Sequence, residues 1–215
     1  MSDIKMIIRD RDLELYEDVS EIDLEKATGP IQETAKYLYT ESAEEQRYYG
    51  IRPTVFISHK HDDLPRLKKF LGLLQYTYGV SVYIDSKDPS MPSITSAVTA
   101  KNIKHKIHEC DRFILLATDR AVESKWCNWE LGFGDARKYI KSISIFPLID
   151  NYESAADYKG SEYMGIYPHI AYSPSFGHNK YLNCKDDYCV VIETDRGQQR
   201  VALYDWLWLD WQQNV

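Results

Sequence analysis

Residues 111–131 read DRFILLATDRAVESKWCNWEL, and this stretch decides how the rest of the chain is interpreted. It begins with a predicted strand at 112–117, which is apolar at both alternating sets of positions. A strand of that kind is typical of a parallel sheet that helices cover on both faces. Ser124 then stands where a helix N-cap is expected, and the next helix is predicted to run to Tyr139.

The same alternation of strand and helix continues on both sides of this stretch. Short β-rich runs and amphipathic helical patterns take turns along the chain, at residues 54–57, 64–76, 80–84, 94–109 and 143–149. This order predicts an α/β domain with a doubly wound parallel sheet. Such sheets bind ligands outside the carboxyl ends of their strands, so a site is expected at the loops 58–63, 85–93 and 117–125.

The helix after the third strand carries the most specific pattern in the chain. Trp126 and Glu130 are four residues apart, so they lie on one face of that helix. An aromatic ring beside a carboxylate suits a nucleotide sugar. The ring can stack on a base or a ribose, and the carboxylate can hold hydroxyls or face a developing positive charge.

Three segments together resemble a TIR domain (Toll/interleukin-1 receptor/resistance protein). They are VFISHKHDD at 55–63, VYIDSKDPSMPS at 82–93 and the stretch quoted above. In that family a FISH-like box ends the first strand, a proline-containing loop follows the second strand, and an S-x-W-C-x-x-E box opens a later helix. All three occur here in the family's order, over about residues 53–150. The resemblance implies a flavodoxin-like TIR fold.

The resemblance also implies an activity for this chain. In enzymatic TIR domains the glutamate of the third box cleaves the nicotinamide–ribose bond of NAD, and the matching residue here is Glu130. The transition state resembles an oxocarbenium ion, which one placed carboxylate can stabilise. The expected enzyme is therefore an NAD glycohydrolase or ADP-ribosyl cyclase that needs NAD as substrate, no other cofactor and no metal.

Partners follow from the same resemblance. The chain is similar in size to small bacterial antiphage TIR proteins of the Thoeris type, which make a nucleotide signal for a separate effector protein. In the family the proline loop contacts a neighbouring TIR domain, so self-association is expected through residues 86–93.

Five further residues are predicted to bind the nucleotide, and three of them have a structural alternative. Ser58 and His59 follow the first strand and line the cleft unless they are only an N-cap and a loop residue. Asp85 and Ser86 close the second strand. Trp126 either stacks on the ligand or packs in the core.

Other polar residues are given structural interpretations. Asp62 and Asp63 are expected to cap the helix that follows them, and Trp129 and Cys127 to pack. His105, His108 and Glu109 share one helix but show no further metal ligand.

Composition and charge exclude several classes of function. The net charge of the 215-residue chain is −7, and residues 1–50 hold 13 acidic and 6 basic side chains. No basic stripe supports nucleic-acid binding. No apolar run is long enough for a bilayer, the start lacks a signal-peptide pattern, and four cysteines without a CxxC pair suit a reducing compartment, so a cytoplasmic protein without membrane contact is expected.

The chain divides into three predicted parts. Residues 1–50 form an acidic N-terminal extension with a helix at 31–49, residues 51–150 form the TIR core, and residues 151–215 form a C-terminal extension packed on it. That last part contains a predicted hairpin around Asp195–Gly197 and an apolar tail, YDWLWLDW, which must be buried in the fold or in an interface.

Two rival functions remain open at this stage. The chain could be a non-catalytic TIR interaction module that assembles through its proline loop. It could also be an enzyme similar to nucleoside deoxyribosyltransferases, in which a glutamate is a covalent nucleophile at the sugar C1′. The tryptophan–cysteine box and the proline loop favour the TIR interpretation over the second rival.

Overall fold

A computed structural model describes residues 5–16, 18, 52–85, 96–177 and 186–209, and its strands form one eight-stranded sheet. The strands are β1 (Ile8–Arg9), β2 (Thr54–Ser58), β3 (Ser81–Tyr83), β4 (Arg112–Ala117), β5 (Ile143–Ile149), β6 (His169–Gly177), β7 (Asp186–Thr194) and β8 (Gly197–Ala202). The α-helices are α1 (Leu64–Gly72), α2 (Ala97–Glu109), α3 (Asp119–Val122), α4 (Lys125–Arg137), α5 (Ser161–Ile166) and α6 (Leu203–Trp208). Short 3-10 turns lie at Asp10–Leu13, His61–Asp63, Ile140–Ser142 and Ala155–Asp157.

The sheet is parallel in its first part and antiparallel in its last part. The strand order is β3-β2-β4-β5-β6-β7-β8, with β3 to β6 mutually parallel and with β7 and β8 added antiparallel. The predicted mostly parallel α/β architecture is therefore confirmed. The C-terminal residues extend the same sheet, and the predicted hairpin is the β7–β8 pair.

Both faces of the parallel strands are buried, which explains their continuous apolar sequence. Side chains alternate between the faces of a strand. Val55 and Ile57 of β2 accordingly belong to the core cluster that α1 and α6 cover, whereas Phe56 belongs to the cluster covered by α2 and α4. The ring of Phe56 stacks on that of Phe113 in β4, with 5.5 Å between centroids.

The apolar residues of the tail from Tyr204 to Trp208 are buried in the chain's own core, while residues 210 and 211 lie outside the described residues. Trp206 is completely buried in α6, and its indole N–H donates to the carbonyl of Lys141 at 2.7 Å. The indole N–H of Trp208 donates to the carbonyl of Tyr78 at 2.8 Å. The tail therefore closes the face of the sheet that α1 shares.

The described part of the N-terminal segment belongs to the sheet as well. Ile8 of β1 pairs with Leu148 of β5, and Lys5 makes an isolated bridge to Tyr172 of β6. Ile8 is completely buried, so these residues fill the space where β5 and β6 separate. The predicted helix at 31–49 and the proline loop at 86–93 lie outside the described residues.

Among the described residues, no helix combines the length and the apolar character that a membrane crossing requires.

Candidate functional site

The carboxyl ends of neighbouring strands bring the predicted site residues to one edge of the sheet. Ser58 is the last residue of β2, and Asp85 lies just beyond the end of β3. Glu130 comes from α4, whose start is set by Ser124, because the Ser124 hydroxyl accepts a hydrogen bond from the backbone N–H of Cys127 at 3.4 Å. The sheet and one capped helix therefore position the cluster.

Glu130 is held by a direct contact with the first box. The Ser58 hydroxyl donates to Oε2 of Glu130 at 2.5 Å, and both residues are buried, with exposures of 0% for Ser58 and 1% for Glu130. The other carboxylate oxygen, Oε1, is also buried and has no hydrogen-bond partner among the described residues. A buried acceptor without a donor is unusual, because it loses its hydration without replacement.

Burial also controls the charge of Glu130. Loss of hydration raises the pKa of this carboxyl well above its ordinary value of 4.5, and the nearby Asp85 carboxylate raises it further. The Ser58 hydroxyl and the Trp126 side chain act in the opposite direction and lower the pKa. The site therefore favours the neutral carboxyl more strongly than water does, until a cation enters it.

His59 lies beside the same charges. It is 6% exposed, and its Nδ1 lies 3.4 Å from the backbone carbonyl of Ile57. Burial lowers the pKa of the His59 imidazole, while Asp85 raises it, so Asp85 acts electrostatically on both His59 and Glu130.

The aromatic residues of α4 form a row along its surface. The Trp126 ring stacks on Trp129 with 4.8 Å between centroids, and Trp129 stacks on Phe133 at 6.3 Å. All three rings are half-buried against the α2–α4 core cluster, and the Lys104 ammonium lies 5.6 Å from the Trp129 centroid. Trp129 packs as predicted, and Trp126 both packs and contacts Glu130.

Cys127 behaves as the packing residue that the sequence predicts. It is 1% exposed, and burial raises the pKa of its thiol to about 11. At neutral pH it is therefore an unreactive thiol.

Five of the six predicted site residues come together in this way, namely Ser58, His59, Asp85, Trp126 and Glu130. Ser86 lies outside the described residues. The binding and catalytic roles of all six stay predictions.

A second polar cluster at the same sheet edge was missed by the sequence analysis. Asp63 stands at the N-cap position of α1, as expected, but its side chain makes no capping hydrogen bond. Its Oδ2 instead accepts a hydrogen bond from the Thr118 hydroxyl at 2.5 Å, and Arg120 lies 3.9 Å from Oδ1. Thr118 is the N-cap of α3 and Arg120 lies in α3, just after β4, and no sequence pattern pairs either residue with Asp63.

Two cavities lie near this second cluster. Their volumes are about 160 Å³, beside Asp63 and Thr118, and about 210 Å³, beside Tyr158, and Asp119 and Glu153 line both. Neither lining includes a predicted site residue. The smaller cavity lies between the ends of β2 and β4, where the strand order reverses and where α/β sheets commonly bind ligands.

Metal binding has no geometric support in the described part of the chain, where no three His, Cys, Asp or Glu side chains gather around one point. His105 instead pairs with Glu109 one helical turn away, with 2.9 Å between Nε2 and Oε1.

Comparison with known families agrees with the strand order and with the boxes. A family model described as TIR domain matches residues 55–167, which is more than half of the chain. That span begins in β2, ends just after α5, and contains Ser58, Asp85 and Glu130. A search of curated proteins finds no match. On the strength of the family match, this chain belongs to the TIR domain family.

Proposed function

We propose that this chain cleaves the nicotinamide–ribose bond of NAD and that Glu130 is its catalytic residue. The observation that carries the proposal is the buried Glu130 carboxylate, which Ser58 binds through one oxygen and which keeps its other oxygen unpartnered among the described residues. Family membership supports it, because the TIR domain family includes NAD-cleaving enzymes. Unpaired buried carboxyl groups with a raised pKa are typical of functional sites.

The chemistry requires few groups. The C1′–N bond breaks, its electron pair leaves with the nicotinamide nitrogen, and the pyridinium departs as a neutral ring. Positive charge then spreads over C1′ and the ribose ring oxygen, as in glycoside cleavage. An ionised Glu130 stabilises that charge from a site with little water, where electrostatic interactions are strong.

The raised pKa of Glu130 is compatible with this role. Without a ligand, burial and Asp85 both oppose the ionised form. A bound pyridinium is an opposite charge, so it lowers the pKa of a neighbouring carboxyl and favours ionisation when the substrate is present.

The product depends on what attacks C1′. If the oxygen of water attacks and then loses a proton, the product is ADP-ribose. If another atom of the same nucleotide attacks, the product is cyclic. We propose an ADP-ribose-type nucleotide that signals to a separate effector in antiphage immunity, with self-association through residues 86–93; mass spectrometry of the product distinguishes the linear from the cyclic form.

The test is to incubate the purified full chain with NAD and to follow free nicotinamide by chromatography. We expect Glu130→Gln to reduce the release rate by about a thousand-fold, the upper size for removing one group that stabilises transition-state charge. Glu109→Gln is the matched control, because Glu109 lies on α2 and pairs with Lys106 and His105 instead of with the site.

Equal nicotinamide release by the wild type and Glu130→Gln would refute the role of Glu130. Concentration-dependent assembly without any loss of NAD would favour the interaction module instead.

A further inference from the structure

The two oxygens of the Glu130 carboxylate are not equivalent. Oε2 accepts the hydrogen bond from Ser58 at 2.5 Å, whereas Oε1 has no partner in the part of the chain that the structure describes. A carboxylate that turned freely would exchange these two oxygens. The contact with Ser58 therefore distinguishes an oxygen that the protein holds from an oxygen without a hydrogen-bond partner among the described residues.

We propose that Ser58 is a positioning residue, whose hydroxyl holds Oε2 of Glu130 so that Oε1 is the oxygen that faces the reacting sugar carbon. This inference rests on the proposed function, since it assigns atoms within the same reaction. It changes the role expected from the sequence, in which Ser58 binds the nucleotide directly.

The location of Ser58 suits a positioning role. It is the last residue of β2, a strand paired with β3 on one side and β4 on the other, and its Cα pairs in register with Leu115. It is completely buried. Groups on central strands are held more accurately than groups on loops, and placement errors of about 1 Å reduce rates by roughly a hundred-fold.

The donor capacity of serine limits what else Ser58 can do. A serine hydroxyl has one proton, and the short contact to Glu130 uses it. Ser58 can therefore not donate to a ribose hydroxyl or a phosphate while it holds Glu130. A direct ligand contact would have to be made by its lone pairs.

Ser58 also affects the charge of Glu130. Burial and the Asp85 carboxylate raise the pKa of Glu130, and the hydrogen bond from Ser58 lowers it. Loss of this donor therefore moves ionisation of Glu130 to higher pH. A residue with a merely structural role would leave that titration unchanged.

The titratable groups around Glu130 are the same in the wild type and in Ser58→Ala. Asp85 is the charged neighbour that acts on its pKa. Titratable groups on the neighbouring elements include His59 after β2, Cys127 on α4, and Lys104 and Lys106 on α2.

The experiment compares Ser58→Ala with Ser144→Ala. Ser144 is an equally buried serine of β5, and its hydroxyl donates to the backbone carbonyl of Pro168 at 3.1 Å, away from the site. We expect Ser58→Ala to lower kcat for nicotinamide release by about ten- to a hundred-fold, with KM nearly unchanged, because the carboxylate is no longer held. As a second result, we expect the part of the pH–rate profile that reports ionisation of Glu130 to shift to higher pH.

Ser58→Thr keeps a hydroxyl on the same atom and should restore part of the rate and the original pH limb. If Ser58→Ala instead raises KM and leaves both kcat and the pH limb unchanged, Ser58 is a ligand-binding residue and the proposal is wrong. If Ser58→Ala and Ser144→Ala have equal effects, the role of Ser58 is only structural and the proposal is also wrong.

A measurement without substrate separates this proposal from the proposed function. Carbon-13 NMR of the full chain with labelled glutamate follows the Glu130 carboxyl, which Glu130→Gln identifies by the loss of its signal. We expect a higher pKa for this carboxyl in Ser58→Ala than in the wild type and Ser144→Ala. If the pKa of Glu130 rises in Ser58→Ala but the protein does not cleave NAD, the proposed function is wrong and the Ser58–Glu130 contact is supported. If NAD cleavage requires Glu130 but Ser58→Ala changes neither the rate nor this pKa, only the positioning role of Ser58 is wrong.

Discussion

Glu130 and Asp63 are two buried carboxylates at the same edge of one sheet, and they differ in what surrounds them. Each is 1% exposed, and each accepts a hydrogen bond of 2.5 Å from a hydroxyl, that of Ser58 or of Thr118. The second oxygen of Asp63 lies 3.9 Å from the Arg120 guanidinium. The second oxygen of Glu130 has no donor among the described residues, and its nearest acting charge, Asp85, is of the same sign.

If the proposed function holds, this difference separates a carboxylate with a structural role from one with a catalytic role. Asp63 joins the loop after β2 to the loop after β4, and the Thr118 hydroxyl that it binds also caps α3 by accepting from the N–H of Ala121. Both oxygens of the Asp63 carboxylate therefore have a polar partner within the protein. Glu130 keeps one oxygen without a donor among the described residues, and in the proposed function that oxygen interacts with the substrate.

The largest change in stability is expected from removing the Asp63 carboxylate. Asp63→Ala should lower the free energy of unfolding by about 2 to 3 kcal/mol, because the buried Thr118 hydroxyl loses its acceptor. Urea unfolding followed by tryptophan fluorescence measures this. Asp62→Ala is the control, since Asp62 is exposed, and it should change the free energy by less than about 0.5 kcal/mol. Equal effects of the two variants would mean that the Asp63–Thr118 contact contributes nothing.

A substitution of Glu130 is expected to change the free energy of unfolding in the opposite direction. Glu130→Gln should raise the free energy of unfolding at neutral pH by about 1 kcal/mol, because a buried group that opposes its own ionisation is replaced by a neutral one. Thermal unfolding should show this as an increase of about 2 to 4 °C. Asp63→Asn makes the same exchange of carboxylate for amide and should destabilise. If Glu130→Gln and Asp63→Asn lower the free energy of unfolding equally, the two carboxylates do not differ in the way described above.

The same pair gives a pH dependence with a definite sign. The pKa of Glu130 is raised in the folded protein above its ordinary value of 4.5. The stability that Glu130 contributes is therefore fully present below pH 4.5 and is lost as the pH rises through the folded pKa. We expect the stability advantage of Glu130→Gln to be small near pH 4 and to increase toward neutral pH. Urea unfolding at a series of pH values measures it.

Buried histidines titrate in the opposite direction, among them His169, which lies outside the site. The pKa of His169 is lowered by burial, so its contribution is lost as the pH falls below its ordinary value of 6.5. Because His169 is the same in the wild type and in Glu130→Gln, its effect cancels in their difference. A stability difference that stays constant from pH 4 to pH 8 would contradict the raised pKa of Glu130.

The sequence predicts the features that depend on neighbouring residues. It does not predict those that depend on contacts between residues far apart in the chain. The strand at 112–117 was predicted with the bounds of β4, and the strand at 143–149 with those of β5, because a continuous apolar run is a local signal. β1 was missed, since two residues in a charged segment become a strand only by pairing with β5. The helix predicted at 64–76 is an α-helix only to Gly72 and continues as a π-helical turn, which hydrophobic spacing does not distinguish.

The site residues also differ in whether the sequence predicts them. Glu130 and Ser58 belong to boxes whose residues indicate a ligand, and parallel strands bring their carboxyl ends together. Asp63 and Thr118 also lie in quoted segments, but they are separated by 55 positions and neither segment indicates that the two side chains touch. Their contact follows only from the strand order β2-β4. The unpartnered Oε1 of Glu130 was also unpredictable, because it depends on every side chain that surrounds the carboxylate.

The smallest change in stability is expected from Arg120→Ala, which tests whether Thr118 or Arg120 stabilises the buried Asp63 carboxylate. The Arg120 side chain is 67% exposed and lies 3.9 Å from the carboxylate, so solvent screens the pair, whereas the Thr118 contact is buried. We expect Arg120→Ala to lower the free energy of unfolding by less than about 1 kcal/mol, and high salt to leave the wild-type stability almost unchanged. Urea unfolding with and without added salt measures both. A loss as large as that of Asp63→Ala would mean that charge pairing, and not the hydroxyl, holds Asp63. Glu130 would then differ from Asp63 chiefly in lacking a nearby cation, and a cationic substrate would supply what Arg120 supplies to Asp63.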